Sequence, residues 1–328
     1  MNRIAIGVSS YRGAQRLGWL LESIALRTPE IEEGRVVVVV VDDGSPEPDL
    51  GRTREVVHTW DARGVPIVYI EHGRNRGIPA GWNSATRATD APYVVMINDD
   101  VIVVEHWLRG LVHVLEHSPD VGVVGVNWHA FLPEDVPALL SAEREVVPRD
   151  PESKAQVPTR RADENCNPGR VMCPTGQLFA FRRADFDAIG GFDENLKSFY
   201  EESLFGSLMA ARLRKIGVQL SGPAVWHQWS ASFAANPELQ AGERLNASRA
   251  YYRRFFNVPE GTHEFDYVNQ LYFDTIGDVD VEWLRPNGDV VRGTLKQDRS
   301  YVDRQAGAMG SSAPIVEARG ANGPGATG

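Results

Sequence analysis

Cysteine is scarce in this chain of 328 residues, with Cys166 and Cys173 the two present. That excludes the disulfide framework that staples small secreted domains, and two free thiols in a reducing compartment are expected. No Cys/His ligand set of zinc-site spacing is visible, so zinc is disfavoured. Lysine is also rare: Lys154, Lys197, Lys215 and Lys296 are the four in the chain, and acids outnumber bases by 44 to 34. The resulting formal charge of -10 disfavours general nucleic-acid binding, because phosphate attraction contributes nothing to such a chain. Long apolar runs are missing as well. The most apolar stretch, Val36–Val41, is far too short to span a bilayer, and Met1–Ser10 lacks the basic start and long apolar core of a secretory leader. A soluble, cytoplasmic chain without a membrane span is the expectation.

What is present is an alternation of two periods. Arg3–Val8, which is apolar and β-branched, and Pro66–Ile70, Pro92–Ile97 and Val121–Val126 read as strands, and Arg35–Val41 is a continuous valine run, the mark of a strand buried on both faces. Between them, Leu17–Leu26, Ala80–Thr89 and His106–His117 carry apolar residues at helical spacing, and Pro79 sits near the start of the second. Strand–helix alternation predicts a parallel, doubly wound sheet. Residues 128–170 break the pattern with Pro, Glu and Arg, which predicts an irregular insertion with a short helix near Val136–Arg144. Regular structure then resumes as a strand pair in Val171–Phe181, a helix at Leu204–Lys215 and a short strand at Ala224–Trp226. Asn246–Phe256 is expected as a helix on the core, and Val279–Leu295 as a hairpin about Pro286-Asn287-Gly288. From residue 306 the chain is rich in Gly, Ala and Ser, a composition that predicts disorder. The domain expected is 1–235, divided into a nucleotide-binding half (1–127), the insertion (128–170) and a catalytic half (171–235). A helix-and-hairpin extension (236–300) and a disordered tail (301–328) complete the chain.

Polar residues cluster just after the strands: Ser9 and Ser10, then Asp42-Asp43-Gly44-Ser45, then Asp99-Asp100. Ligands of open α/β sheets bind outside the carboxyl ends of the strands, so these clusters should converge on one crevice. Each alone could be turn chemistry. Two adjacent-acid pairs in one crevice repel unless a cation accompanies them, and Mg2+ or Mn2+ held with diphosphate oxygens suits that demand.

The segments Ile4-Ala5-Ile6-Gly7-Val8-Ser9-Ser10-Tyr11, Val41-Asp42-Asp43-Gly44-Ser45 and Asn98-Asp99-Asp100 together resemble the family 2 glycosyltransferases, including rhamnosyltransferase-like members. Thr175-Gly176-Gln177 through Arg183, Gly190-Gly191-Phe192-Asp193-Glu194 and Tyr200-Glu201-Glu202 extend the resemblance over roughly 1–230. It implies a GT-A fold: a Rossmann-like, mostly parallel sheet flanked by helices. It also implies inverting transfer of a sugar from a UDP-, dTDP- or GDP-linked donor to a hydroxyl of a carbohydrate or glycoconjugate.

By that resemblance, Ser9, Tyr11, Asp42, Asp43, Arg76, Asn83 and Asp99 bind the donor, and Asp100 binds Mn2+ or Mg2+. His227 is either a further metal or diphosphate ligand or a packed histidine. Glu202 is the expected general base with Glu201 as the alternative, in a Glu-Glu pair where the family usually carries Glu-Asp. The pair also suits a helix N-terminus on dipole grounds alone. Gly176 and Trp229 are the acceptor-side candidates, although core packing is the commoner fate of tryptophan. Two other readings stay open: a sugar-phosphate nucleotidyltransferase, which Ser9-Ser10-Tyr11-Arg12-Gly13 matches poorly, and a non-catalytic nucleotide-sugar binding module.

Overall fold

The computed structural model describes residues 3–141, 166–228 and 231–297. The valine run forms β2 (Val36–Asp42), buried at every position, beside β1 (Ile4–Ser10). Its side chains divide strictly between faces: Val36, Val38 and Val40 join one apolar cluster, Val39 and Val41 the other. That alternation is the period-two geometry of a strand covered on both sides. Strand β3 (Ile67–Glu71) pairs parallel with β2, and β4 (Tyr93–Asn98) parallel with β1. The registers Ser10↔Asp42 and Ser9↔Asn98 bring three strand ends level, so the polar clusters that follow them share one edge.

Helices close both faces. In α1 (Ala14–Arg27), Leu17, Leu20, Leu21 and Ile24 fall on one stripe and are fully buried against β1 and β2. Helix α2 (Asp49–Ala62) is a difference from the expectation, which left this stretch unassigned. It buries Thr53 and Val57 and little else, too sparse a stripe to show as a helical period. Helix α3 (Ile78–Arg87) starts at its Pro79 turn and packs the opposite face with Trp82, Asn83 and Ala85. After the two-residue β5 (Val101–Ile102), helix α4 (Trp107–His117) buries Trp107, Leu108, Leu111, Val114 and Leu115.

The second half departs from a wholly parallel sheet. Strand β6 (Val121–Ala130) is followed by α5 (Val136–Ser141), the short helix expected in the insertion; residues 142–165 lie outside those described. The Val171–Phe181 pair is two strands that do not meet. Strand β7 (Pro168–Val171) lies antiparallel to β9 (Ile216–His227), whereas β8 (Leu178–Arg182) inserts antiparallel between β4 and β6. The apolar run Leu178-Phe179-Ala180-Phe181 dictates burial on both faces but carries no information on direction. Strand β9 is longer than the three residues expected, because Ile216, Val218 and Leu220 continue its buried pattern beside β6. The order is β3-β2-β1-β4-β8-β6-β9-β5, with β7 paired to β9 off this path, a mixed sheet of nine strands among the described residues.

Helix α6 (Arg183–Ile189) and α7 (Glu201–Leu208) bring their apolar residues to the face with α3, and α8 (Ala231–Ala235) follows β9. The expected C-terminal helix is α9 (Ala241–Phe255), laid on the core through the fully buried Tyr252, and α10 (Glu264–Val268) packs beside it. The hairpin β10 (Val279–Leu284) and β11 (Val290–Leu295) forms a separate two-stranded sheet around its Asn-Gly turn, with Gly288 at φ +88°. The expected tail, 301–328, lies outside the described residues.

Candidate active site

The level strand ends open onto a cleft of about 450 Å³. Ser9, Ser10 and Tyr11 reach it from β1, Asp43 from β2, and Asn98, Asp99 and Asp100 from β4. His227 stands beside Asp100, and Gly176, Glu201 and Glu202 also line the cleft. The two halves of the sheet therefore meet at one site.

The acids do not face one another bare. Asp99 Oδ2 accepts from Ser10 Oγ at 2.6 Å and lies 3.5 Å from the Arg16 guanidinium. Burial pushes the Asp99 carboxyl up, and Arg16 opposes it. Asp100 Oδ1 lies 3.1 Å from His227 Nε2. Burial alone would raise Asp100, but the His227 imidazole outweighs it and holds the carboxyl below its ordinary value. The pairing with His227 answers the repulsion that the sequence assigns to a metal alone, as Arg16 does for Asp99. Asp100 Oδ1 nonetheless has no aligned hydrogen bond, so a buried carboxylate oxygen and an imidazole converge on one point of the cleft. That donor set fits a hard or borderline divalent ion.

Asp43 organises the neighbouring loop. Its carboxylate accepts from Arg76 N at 3.0 Å, Gly77 N at 2.8 Å and His72 Nδ1 at 2.8 Å. Gly44, at φ +79°, permits the approach: a Cβ there would stand 2.1 Å from the Arg74 carbonyl carbon. Asp42 is not in the cleft lining; its Oδ1 accepts Ser45 N at 2.7 Å and closes the turn. Arg76 and Asn83 are not in it either. Both hold Glu194, Arg76 at 2.9 Å and Asn83 at 3.0 Å, and Asn83 also exchanges bonds with the Phe192 backbone. The Gly190–Glu194 segment is thus a latch onto α3, and it leads the chain toward Glu201. Trp229 lies outside the described residues.

Glu201 and Glu202 open α7 after two consecutive left-handed residues, Phe199 and Tyr200, both at φ 66°. Non-glycine residues in that region cost on the order of 1 to 3 kcal/mol each and persist where the surroundings over-determine them. Those surroundings come from the C-terminal extension. The Tyr200 hydroxyl donates to Glu264 Oε1 at 2.7 Å, while Arg249 Nε at 2.7 Å and Arg253 at 3.1 Å hold the same carboxylate. Phe199 stacks on Phe233 at 5.0 Å, Tyr200 on Phe265 at 5.2 Å, and Ser248 Oγ donates to the Ser198 carbonyl. Glu201 is buried, with Oε2 lacking a hydrogen-bond partner. Burial first, then its neighbour's charge, pushes Glu201 well above the ordinary carboxyl range; burial also raises Glu202. Two raised carboxyls in a cleft are suited to proton transfer. Gly176 is the close neighbour of Glu202: a Cβ on it would lie 3.2 Å from Glu202 Cδ.

Sequence reasoning missed Asn75, Gln177, Lys197, Phe233 and Arg244, which also line the cleft. Gln177 lies within a quoted motif but was given no role, Asn75 and Lys197 come from loops beside motif residues, and Phe233 and Arg244 come from α8 and α9. Trp128, given no role from sequence, lines the cleft with its ring edge-on to His227 at 5.2 Å. Among the described residues Cys166 and Cys173 do not pair with each other in a disulfide. Among the described residues no helix is long and apolar enough to cross a membrane.

The fold has solved counterparts. A mannosyltransferase from Pyrobaculum calidifontis, solved with GDP-Man and Mn2+, is 18% identical with a TM-score of 0.56, and the match covers 82% of this chain and 68% of that one. The TarS 1-349 structure from S. aureus with UDP is 18% identical with a TM-score of 0.53, covering 82% and 70%. GalNAc-T7 with UDP, GalNAc and Mn2+ is 16% identical with a TM-score of 0.52, covering 69% of this chain but 44% of that one. At such identities the likeness speaks for the fold, which is the expected GT-A architecture. Comparison with curated protein sequences returns no match. The family model described as "Glycosyl transferase family 2" matches residues 5–190, more than half of the 328 residues, and on that ground the chain belongs to this family and is a glycosyltransferase.

Proposed function

We propose that this glycosyltransferase moves a sugar from a nucleoside-diphosphate donor to an acceptor hydroxyl by direct displacement with inversion, assisted by Mn2+ or Mg2+. The observation that carries the proposal is the meeting of two acidic sets in one cleft: Asp99 and Asp100 with His227 on one wall, Glu201 and Glu202 on the other. The solved counterparts lend it support, since they were solved with GDP-Man, UDP and Mn2+.

Asp100, with His227 beside it, would hold the metal, which when bound supplies positive charge to the departing diphosphate. Asp99, pinned by Ser10 and Arg16, borders the sugar or ribose. Ser9, Tyr11 and Asp43 line the donor side, with Asp43 fixing the 74–77 loop over the nucleotide. Glu202 takes the proton from the acceptor hydroxyl as it attacks the anomeric carbon, the bond to the diphosphate breaks, and no covalent enzyme intermediate forms. Gly176 borders the acceptor beside Glu202.

Thermal shift tests the donor and metal assignments together. A matching nucleotide sugar with Mn2+ should raise the melting temperature by mass action. Asp100→Ala should remove the Mn2+-dependent part of that rise. An unchanged rise in Asp100→Ala, or in excess chelator, overturns the metal assignment.

A further inference from the structure

A second set of metal-ligating side chains stands on the opposite edge of the sheet. Strand β6 runs parallel to β4 through two antiparallel steps across β8, so the residues just before β6 lie at the edge away from the cleft. There, near the C-terminus of α4, are His113 and His117, one helical turn apart and stacked with ring centroids 4.1 Å apart. Strand β10 of the C-terminal hairpin brings Glu282 against them. His113 Nε2 lies 3.0 Å from Glu282 Oε1 and His117 Nδ1 lies 3.9 Å from it. Each of the three offers one donor atom, all within 4.8 Å of one another. The sequence shows no such set, because Glu282 is remote from the His-x-x-x-His pair and joins it only in the fold.

We propose that His113, His117 and Glu282 form a structural Zn2+ site that clips the β10–β11 hairpin onto α4. The geometry of the ligands carries it. His113 Nε2 lies at hydrogen-bond length from Glu282 Oε1, and both border the point that His117 also faces, where a shared cation would take the place of that contact. The supporting contacts are those that orient metal ligands. Glu282 Oε2 is held by Arg292 Nε at 2.5 Å from the paired position on β11, leaving Oε1 for the histidines. The Glu282 backbone N–H donates to Ser118 Oγ at 3.0 Å, which ties the strand to the residue following α4. His117 Nδ1 lies 2.9 Å from the His113 carbonyl and would give up that bond to face an ion beside Glu282 Oε1. Glu282 is 9% exposed, whereas Asp280, on the same face of the strand two residues earlier, is exposed. Two imidazoles and one carboxylate, with a place for water, are a zinc donor set. The hairpin pairs with no strand of the large sheet, so such a clip would add a polar anchor to the apolar one made by Val279, Val281 and Trp283.

The test uses the full chain carrying Asp100→Ala, so that the cleft does not compete for the ion, and titrates it with Zn2+ alone after chelator dialysis. One equivalent should bind and raise the melting temperature by roughly 5 °C at about a hundredfold excess over Kd. Co2+ in its place should show the visible absorption of a four-coordinate site. Adding His117→Gln, at an exposed position that leaves folding intact, should weaken Zn2+ by about tenfold to a hundredfold, and Glu282→Gln should do the same. Absence of Zn2+ binding, or equal affinity with and without His117 and Glu282, overturns the proposal and leaves an ordinary ion pair.

Discussion

Glu202 and Glu201 differ in what the cleft asks of them. Burial raises both carboxyls, and the charge of Glu202 raises Glu201 further. A general base must be ionised to accept a proton, so activity should rise with pH as it loses its own. The acid limb of the pH–kcat profile is therefore expected above the ordinary Glu value of about 4.3. Glu202→Gln should lower kcat by roughly 10²-fold or more with donor affinity retained, and should abolish that limb. If Glu201→Gln is the variant that does so, the base is one residue earlier. At this scale the sequence is legible where a side chain follows a strand end directly: Asp43, Asp99 and Asp100 reach the cleft because β2 and β4 end level. It says less where a polar side chain takes a structural partner: Asp42 closes its own turn, and Asn83 and Arg76 hold the Phe192–Glu194 latch, uses that depend on a partner more than a hundred residues away for the latter two. Arg244 and Phe233 were beyond reach for the same reason, since no local pattern places α8 and α9 over the cleft.

At the scale of elements, the C-terminal helices brace the catalytic turn. The left-handed pair Phe199–Tyr200 is held by Glu264 with Arg249 and Arg253. Burial would raise the Glu264 carboxyl, but its bonds from Arg249, Tyr200 and Arg253 bring it down to about 2. A carboxyl depressed in the folded state stabilises the fold above its unfolded value, and that contribution is lost as pH falls from about 4.5 toward 2. Glu264→Gln should cost on the order of 2 kcal/mol in urea unfolding at pH 7, a difference that shrinks at pH 3. A constant difference at both pH values would deny Glu264 this role. Strand and helix existence was readable wherever burial imposed a clean period, as in β2 and α1. Helix α2 was not, because it is half-exposed, and the antiparallel insertion of β8 was not, because direction is set by the connection and by neighbouring strands rather than by side chains.

The whole molecule joins two functions of one sheet. Its parallel half, β3-β2-β1-β4, brings Ser9, Ser10, Tyr11, Asp43, Asp99 and Asp100 to the cleft, and its mixed half brings Gly176, Glu201, Glu202 and His227 to the same cleft. The shared cleft, and not any single motif, is what makes transfer chemistry the best reading, and the family match agrees with it. The most direct measurement is the identity of the leaving group. The full chain, incubated with a panel of nucleotide sugars and Mn2+, should release nucleoside diphosphate by mass spectrometry, and Glu202→Gln should release far less. Release of pyrophosphate instead, with nucleotidyl transfer to a sugar phosphate, would contradict the account.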